Sequence, residues 1–114
     1  MTRKWVIFFF VLFISSLVAA ERPVFIVVIE KHLFYPSEIR IPANTKVRLV
    51  IKNKDSTPEQ FDSFDLNREK VIFPESEGTV YIGPLPKGEY QFFGEYNPSS
   101  AIGKVVVLEH EDAD

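Results

Sequence analysis

The side chains best suited to chemistry in this sequence are three carboxylates and one imidazole, those of Glu59, Asp62, Glu95 and His32. Carboxylate oxygens and imidazole nitrogens suit Fe(II), Fe(III) or Mn(II), and they also hold Cu(II). The sequence contains no cysteine, which excludes a copper thiolate, a zinc thiolate and an iron–sulfur cluster. These residues therefore predict a metal ion, iron or copper, bound by hard ligands.

Each candidate ligand also has a plainer interpretation. Carboxylates at the rim of a small domain keep a phenylalanine-rich end in contact with water, and His32 suits a half-exposed loop. Glu69 is a further candidate ligand, but an ion pair with Arg68, Lys70 or a residue of a neighbouring strand is expected of it. Tyr96 is either a ligand for a ferric ion or an aromatic lid on the loop. The sequence leaves both interpretations open.

Other classes of activity find no support in the sequence. Ser99 and Ser100 have no neighbouring histidine to act as a base, so no catalytic residue is assigned. Gly83-Pro84 is typical of a turn, and no glycine-rich phosphate loop occurs. The formal net charge of −3 argues against nucleic acid as a partner. We therefore expect neither a hydrolase nor a nucleic-acid-binding protein.

The first 20 residues have the pattern of an export signal. A basic start at Arg3-Lys4 precedes an apolar run from Trp5 to Ile14, and small residues end the segment before Glu21. This pattern predicts a cleaved signal peptide over residues 1–20, and hence a periplasmic protein. A retained membrane anchor is the alternative, although the run is short for a span of about 20 residues.

The remainder, residues 21–114, predicts one all-β domain with an acidic tail at residues 109–114. Segments rich in β-branched and aromatic residues recur between turn signals, as from Val24 to Glu30. The clearest runs from Lys46 to Asn53, where apolar residues alternate with charged ones. A single helical turn is expected from Asp65 to Glu69. Seven or eight strands without long helical periodicity predict a Greek-key β-sandwich.

The stretch from Gly88 to Val107 resembles the strand-loop-strand that carries most of the metal site in blue-copper proteins. In those proteins a Cys ends the first strand and a His follows three residues later. A Met then stands two residues before a Gly that opens the last strand. On that pattern Gly103 matches the glycine, and the ligand positions hold Phe93, Tyr96 and Ala101. The resemblance implies the scaffold of a copper protein without a blue-copper site.

The order of predicted strands, turns and short motifs along the whole domain resembles that of the cupredoxin superfamily. Within it, the sequence is most similar to the EfeO-type cupredoxin-like domains of bacterial periplasmic iron-uptake systems. The segments that carry this resemblance are His32 to Ala43, Thr57 to Ser63, Asn67 to Ile72 and Phe92 to Tyr96. Some such domains carry two cysteines at positions that hold Phe34 and Phe93 here, and stand-alone relatives often have a histidine near Asn97.

This resemblance implies that Glu59, Asp62, Glu95 and His32 approach one end of the sandwich and bind an iron or copper ion. It also implies an accessory protein beside an inner-membrane iron permease or a periplasmic iron-binding protein. Such a protein delivers ferrous iron or assists its oxidation. Oxidation would require bound copper or a partner to accept the electron.

The alternative function is a metal-free interaction module. Phenylalanines and tyrosines of a small sandwich mostly fill its core. If Phe61, Phe64 and Tyr96 were exposed together, they would instead form an aromatic end that docks to a membrane or periplasmic partner.

Overall fold

The computed structural model describes residues 22–109, which form two β-sheets packed face to face. The strands in this range are β1 (Val24–Glu30), β2 (Leu33–Tyr35), β3 (Glu38–Pro42), β4 (Val47–Asn53), β5 (Glu59–Ser63), β6 (Arg68–Ile72), β7 (Ser76–Ile82), β8 (Gly88–Gly94) and β9 (Ile102–Leu108). One sheet has the order β2-β1-β4-β7 and the other β3-β9-β8-β5-β6. The predicted all-β sandwich is confirmed.

Two predicted segments lie outside the described residues. These are the signal peptide over residues 1–20 and the acidic tail beyond Glu109. Between residues 22 and 109, the structure contains no helix of the length and apolar character that a membrane span requires.

Alternation of apolar and charged side chains explains the centre of the four-stranded sheet. Val47, Leu49 and Ile51 of β4 are fully buried, whereas Arg48 and Lys52 are exposed. The β4 strand pairs in parallel with β1 and antiparallel with β7. Side chains at every second position therefore face the opposite sheet, as the sequence pattern predicts.

The helical turn predicted from Asp65 to Glu69 is wrong, because a turn joins β5 directly to β6. The Ser63 hydroxyl accepts a hydrogen bond from the Leu66 amide at 3.0 Å and donates one to the Gln91 carbonyl at 2.6 Å. The Asp65 carboxylate accepts a hydrogen bond from the Gln91 amide at 2.8 Å. These bonds fasten the turn to β8, so the backbone returns as a strand instead of winding into a helix.

The core between the sheets contains an aromatic cluster that aligns β2, β5 and β8. The ring of Phe34 lies edge-on to Phe92 at 5.0 Å and to Phe61 at 6.3 Å, and Phe61 is 5.0 Å from Phe92. All three side chains are buried. Edge-on aromatic contacts of this kind add to the free energy of area burial, so the cluster fixes β5 against β8.

Candidate functional site

Glu59, the first residue of β5, places a carboxylate inside the protein. Its side chain is only 1% exposed. Because side chains alternate along a strand, Glu59 shares the inward face of β5 with Phe61 and Ser63. A charged group in such a position is costly unless hydrogen-bond donors surround it.

Three donors satisfy the Glu59 carboxylate. The Tyr96 amide donates to Oε1 at 2.9 Å, and the Gln60 amide donates to the same oxygen at 3.0 Å. The side-chain amide of Asn97 donates to Oε2 at 2.8 Å. Throughout residues 22–109, every buried side-chain nitrogen and oxygen has a hydrogen-bond partner. The carboxylate therefore holds the beginning of the loop that follows β8.

The loop at residues 95–101 closes on itself around this carboxylate. The Ala101 amide donates to the Asn97 carbonyl at 2.8 Å, and the Gly94 amide donates to the Ala101 carbonyl at 2.8 Å. A Cβ atom on Gly94 would lie 2.5 Å from Cδ of Glu59 and 2.8 Å from Cβ of Ala101. Only glycine leaves room for the carboxylate at this position.

The structure corrects the alignment of this loop with the blue-copper pattern. The pattern places the Cys at the end of the strand, and β8 ends at Gly94, so the three ligand positions are those of Gly94, Asn97 and Ala101 rather than Phe93, Tyr96 and Ala101. Phe93 faces outward. The Glu59 carboxylate lies among the three corrected positions, since it contacts Gly94 and accepts a hydrogen bond from Asn97. A protein carboxylate thus occupies the space around which the loop is folded.

Asp62 and Glu95 lie on the other side of the five-stranded sheet. Asp62 is three residues from the inward-facing Glu59 and pairs with the outward-facing Phe93. The Glu95 amide donates to the Gln60 carbonyl at 2.9 Å, which places Glu95 two positions farther along the same outer face. Neither carboxylate is on the side of the sheet where Glu59 is buried.

His32 lies in the tight turn between β1 and β2. Lys31 and His32 have φ angles of 52° and 61°, a left-handed conformation that is unfavourable for side chains of this size. The Asp55 carboxylate accepts hydrogen bonds from both of their amides, at 2.8 Å and 3.0 Å. The Asp55 carboxylate also lies 3.6 Å from Nδ1 of the His32 ring. His32 therefore belongs to a turn-stabilising contact.

The four predicted ligands do not form one group. The Glu59 carboxylate is buried and accepts hydrogen bonds within the protein. Asp62 and Glu95 lie on the outer face of the five-stranded sheet, and His32 lies against Asp55. In the part of the chain that the structure describes, no three His, Cys, Asp or Glu side chains are placed to hold a metal ion. The arrangement of these donors does not fit a resident iron or copper ion.

The two positions implied for a cysteine pair lie apart in the structure, and so do the residues of the predicted aromatic end. Phe34 is in the core, whereas Phe93 packs on the outer face against Phe64, with ring centroids 5.5 Å apart. Phe61 is fully buried and cannot take part in docking. Tyr96 lies beside Glu59 at the start of β5, whereas Phe64 follows the other end of β5, so these two exposed residues do not lie together at one end of the molecule.

Two packed sheets and a closed loop between the last two strands define a cupredoxin-type sandwich. The profile of the Cupredoxin-like domain family matches residues 4–107, and the chain belongs to that family. An uncharacterized protein of Rickettsia prowazekii (strain Madrid E) is 38% identical over 81 residues, which are 71% of this chain and 65% of that protein. The match therefore spans less than two thirds of the relative's own length.

Solved structures show the same fold. Auracyanin A, a blue copper protein from Chloroflexus aurantiacus, has a TM-score of 0.65 at 12% identity, covering 75% of this chain and 98% of its own. The metal-binding domain of the Cu(I)-exporting ATPase CopA of Streptococcus pneumoniae has a TM-score of 0.64 at 14% identity, covering 75% and 85%. Amicyanin from Paracoccus versutus has a TM-score of 0.58 at 23% identity, covering 78% and 83%. The fold is thus related to copper proteins and to a metal-binding domain.

Proposed function

We propose that this protein is a periplasmic accessory protein of metal uptake, with ferrous iron as the metal, and that it acts by docking to a partner. The partner is an inner-membrane iron permease or a periplasmic iron-binding protein. Membership of the Cupredoxin-like family and the resemblance to domains of iron-uptake systems support this role. The similarity in fold to the CopA metal-binding domain agrees with a role in metal handling.

The observation that carries the docking mode is the buried carboxylate of Glu59. It accepts three hydrogen bonds and keeps the loop at residues 95–101 folded through contacts with the protein alone. A loop that is ordered in advance loses little conformational entropy when it meets a partner. The scaffold therefore suits binding of a protein, whereas an ion at this carboxylate would compete with three donors.

Calorimetric titration of the purified protein with Fe(II) without oxygen, and separately with Cu(II), tests this proposal. We expect no saturable one-to-one binding with a Kd below about 1 mM, which corresponds to roughly −4 kcal/mol. Glu59→Gln and Asp62→Asn are matched controls because they remove the charge and retain the shape. Binding in the micromolar range that either variant abolishes would favour a metal carrier over a docking protein.

The role in uptake requires a separate test in cells. Removal of the gene is expected to lower the rate of uptake of radioactive ferrous iron, and the wild-type gene is expected to restore it. A manganese uptake measurement in the same cells controls for general damage to the envelope. Unchanged ferrous uptake after removal would contradict a role for the protein in iron uptake.

A further inference from the structure

Three apolar side chains form a continuous strip on the outer face of the five-stranded sheet. Phe93 of β8 faces outward and pairs with Ile102 of β9. The ring of Phe64, which directly follows β5, packs against Phe93. Phe64 is 82% exposed and Ile102 is 53% exposed. We call Phe64, Phe93 and Ile102 the apolar strip.

The apolar strip is presented by an anchored backbone. The turn that carries Phe64 is fastened to β8 through the side chains of Ser63 and Asp65, which bond the carbonyl and amide of Gln91. Phe93 is held in the sheet between β5 and β9. Aromatic residues on a fixed backbone are favoured anchors of protein interfaces, because little side-chain entropy is lost when they bind.

Acidic side chains border the apolar strip. Asp62 is directly beside Phe93, Glu69 pairs with Asp62 on the neighbouring strand, and Glu95 lies two positions beyond Phe93. None of the ion pairs found within residues 22–109 involves these three carboxylates. The side-chain amide of Gln60 donates a hydrogen bond to Glu69, and Lys104, two positions from Ile102 on the same face, is paired with Glu38 and Glu89. The apolar strip thus has a rim of negative charge that forms no ion pair among the described residues.

This charge distribution selects the kind of partner. A second copy of the chain, placed face to face, would bring like charges together, and an anionic membrane surface would be repelled as well. A protein with an apolar patch bordered by lysines or arginines complements both features of the surface.

We propose that the apolar strip is the docking surface for a partner protein that presents an apolar patch with a basic rim. This inference rests on the proposed docking function and identifies the surface that performs it. The strip buries Phe64 and Ile102 in the complex, while Asp62, Glu69 and Glu95 meet the basic residues of the partner.

NMR titration of the isotope-labelled protein tests this surface directly. The probe is a synthetic peptide of alternating leucine and lysine, and its counterpart with glutamate in place of lysine is the control. We expect shifts of amide resonances in β5, β8 and β9 with the basic peptide, weakened by 0.3 M salt, and about tenfold weaker binding in Phe64→Ser. Phe73→Ser is a matched variant, since Phe73 is 68% exposed but lies outside the strip.

Several results would overturn the assignment. These are shifts confined to another face, equal binding of the acidic peptide, or equal losses in Phe64→Ser and Phe73→Ser. Preferential binding to phosphatidylglycerol vesicles would point to a membrane, and concentration-dependent sedimentation that Phe64→Ser removes would point to a second copy.

The ferrous uptake assay separates failure of the surface from failure of the function. If removal of the gene lowers uptake, Phe64→Ser is expected to restore less of it than Phe73→Ser does. Full restoration by Phe64→Ser would reject the apolar strip while leaving the uptake function intact. If removal has no effect on uptake, the uptake function fails, and the peptide titration decides on the surface alone.

Discussion

Each of the two faces of strand β5 carries a carboxylate, and the environments of the two carboxylates are opposite. On the inner face, the carboxylate of Glu59 is buried and surrounded by donors from the protein. On the outer face, Asp62 is half-buried beside the exposed Phe64 and forms none of the ion pairs found within residues 22–109. Glu59 and Asp62 are only three residues apart, yet Glu59 orders the loop inside the fold and Asp62 borders the surface that we propose for docking.

This contrast separates stability from recognition within one sheet. A substitution on the inner face removes contacts that order the loop at residues 95–101, so its effect appears in the free energy of unfolding. A substitution on the outer face removes groups that make few contacts within the molecule, so its effect on folding is small. The predictions below test this division, and one of them concerns a turn outside the five-stranded sheet.

The largest loss of stability is expected from Glu59→Ala. It leaves the Tyr96 amide and the Asn97 side chain without their acceptor and opens a cavity beside Gly94. Each unsatisfied buried donor costs about 1–3 kcal/mol, so we expect the free energy of unfolding to fall by about 3 kcal/mol or more. Urea unfolding followed by far-ultraviolet circular dichroism measures this change.

Glu59→Gln is the control for that variant. It fills the same space and keeps one acceptor oxygen, but its amide group faces a donor, so a smaller loss of about 1–2 kcal/mol is expected. A loss below about 1 kcal/mol for Glu59→Ala would mean that the loop does not depend on the carboxylate, and the contrast between the two faces would fail.

Gly94→Ala is expected to cost about 2 kcal/mol, because its Cβ would overlap the Glu59 carboxylate at 2.5 Å. In a Glu59→Ala background the overlap with the carboxylate is removed, and the contact with Cβ of Ala101 at 2.8 Å remains. The loss from the double variant is therefore expected to be at least about 1 kcal/mol smaller than the sum of the two single losses. Additive losses in urea unfolding would show that Gly94 is required for a reason other than the carboxylate.

The sequence predicts much of the fold but little of this division. Alternation in β4 predicts its burial pattern except at Val50, which is buried at an outward position, because the side-chain period of a strand is two. A shift of one residue at the end of β8 is enough to exchange Phe93 for Gly94 on the inner face. A fully buried glutamate such as Glu59 is also rare, and no local pattern marks it.

Two short elements, the strand β2 and the turn after β5, were also harder to predict, because the residues next to them carry too little information. The β2 strand has three residues between a turn and Pro36, too few to show a period. The turn after β5 depends on hydrogen bonds from Ser63 and Asp65 to Gln91, which is distant in sequence. Long-range contacts of this kind leave no trace in the residues next to them.

Asp55→Ala is expected to cost about 1–3 kcal/mol, since the carboxylate accepts hydrogen bonds from both amides of the strained turn at Lys31 and His32. Replacing these two residues by Asn and Gly, which favour such a turn, should recover about 1 kcal/mol in the Asp55→Ala background. Thermal and urea unfolding measure both effects. No recovery would show that the strain of the turn is not what Asp55 offsets.

The smallest effect is expected on the outer face, at Lys104. Its ammonium group donates to the Glu89 carboxylate at 2.9 Å and lies 3.7 Å from Glu38. The hydrogen bond to Glu89, and then the charge of Glu89, raise the pKa of Lys104. The contribution to stability is therefore complete below the unfolded pKa of about 10.4 and is lost as the pH rises through the folded value.

Because this ion pair is exposed to solvent, its contribution is screened, and Lys104→Met should change the unfolding midpoint only slightly at pH 8. The difference between wild type and variant should shrink as the pH rises above the unfolded pKa of about 10.4 and through the raised folded pKa. Comparison of the two proteins cancels the titration of the other lysines and tyrosines. A loss at pH 8 as large as that of Glu59→Ala would place a main determinant of stability on the outer face, and the division between the two faces of the sheet would no longer hold.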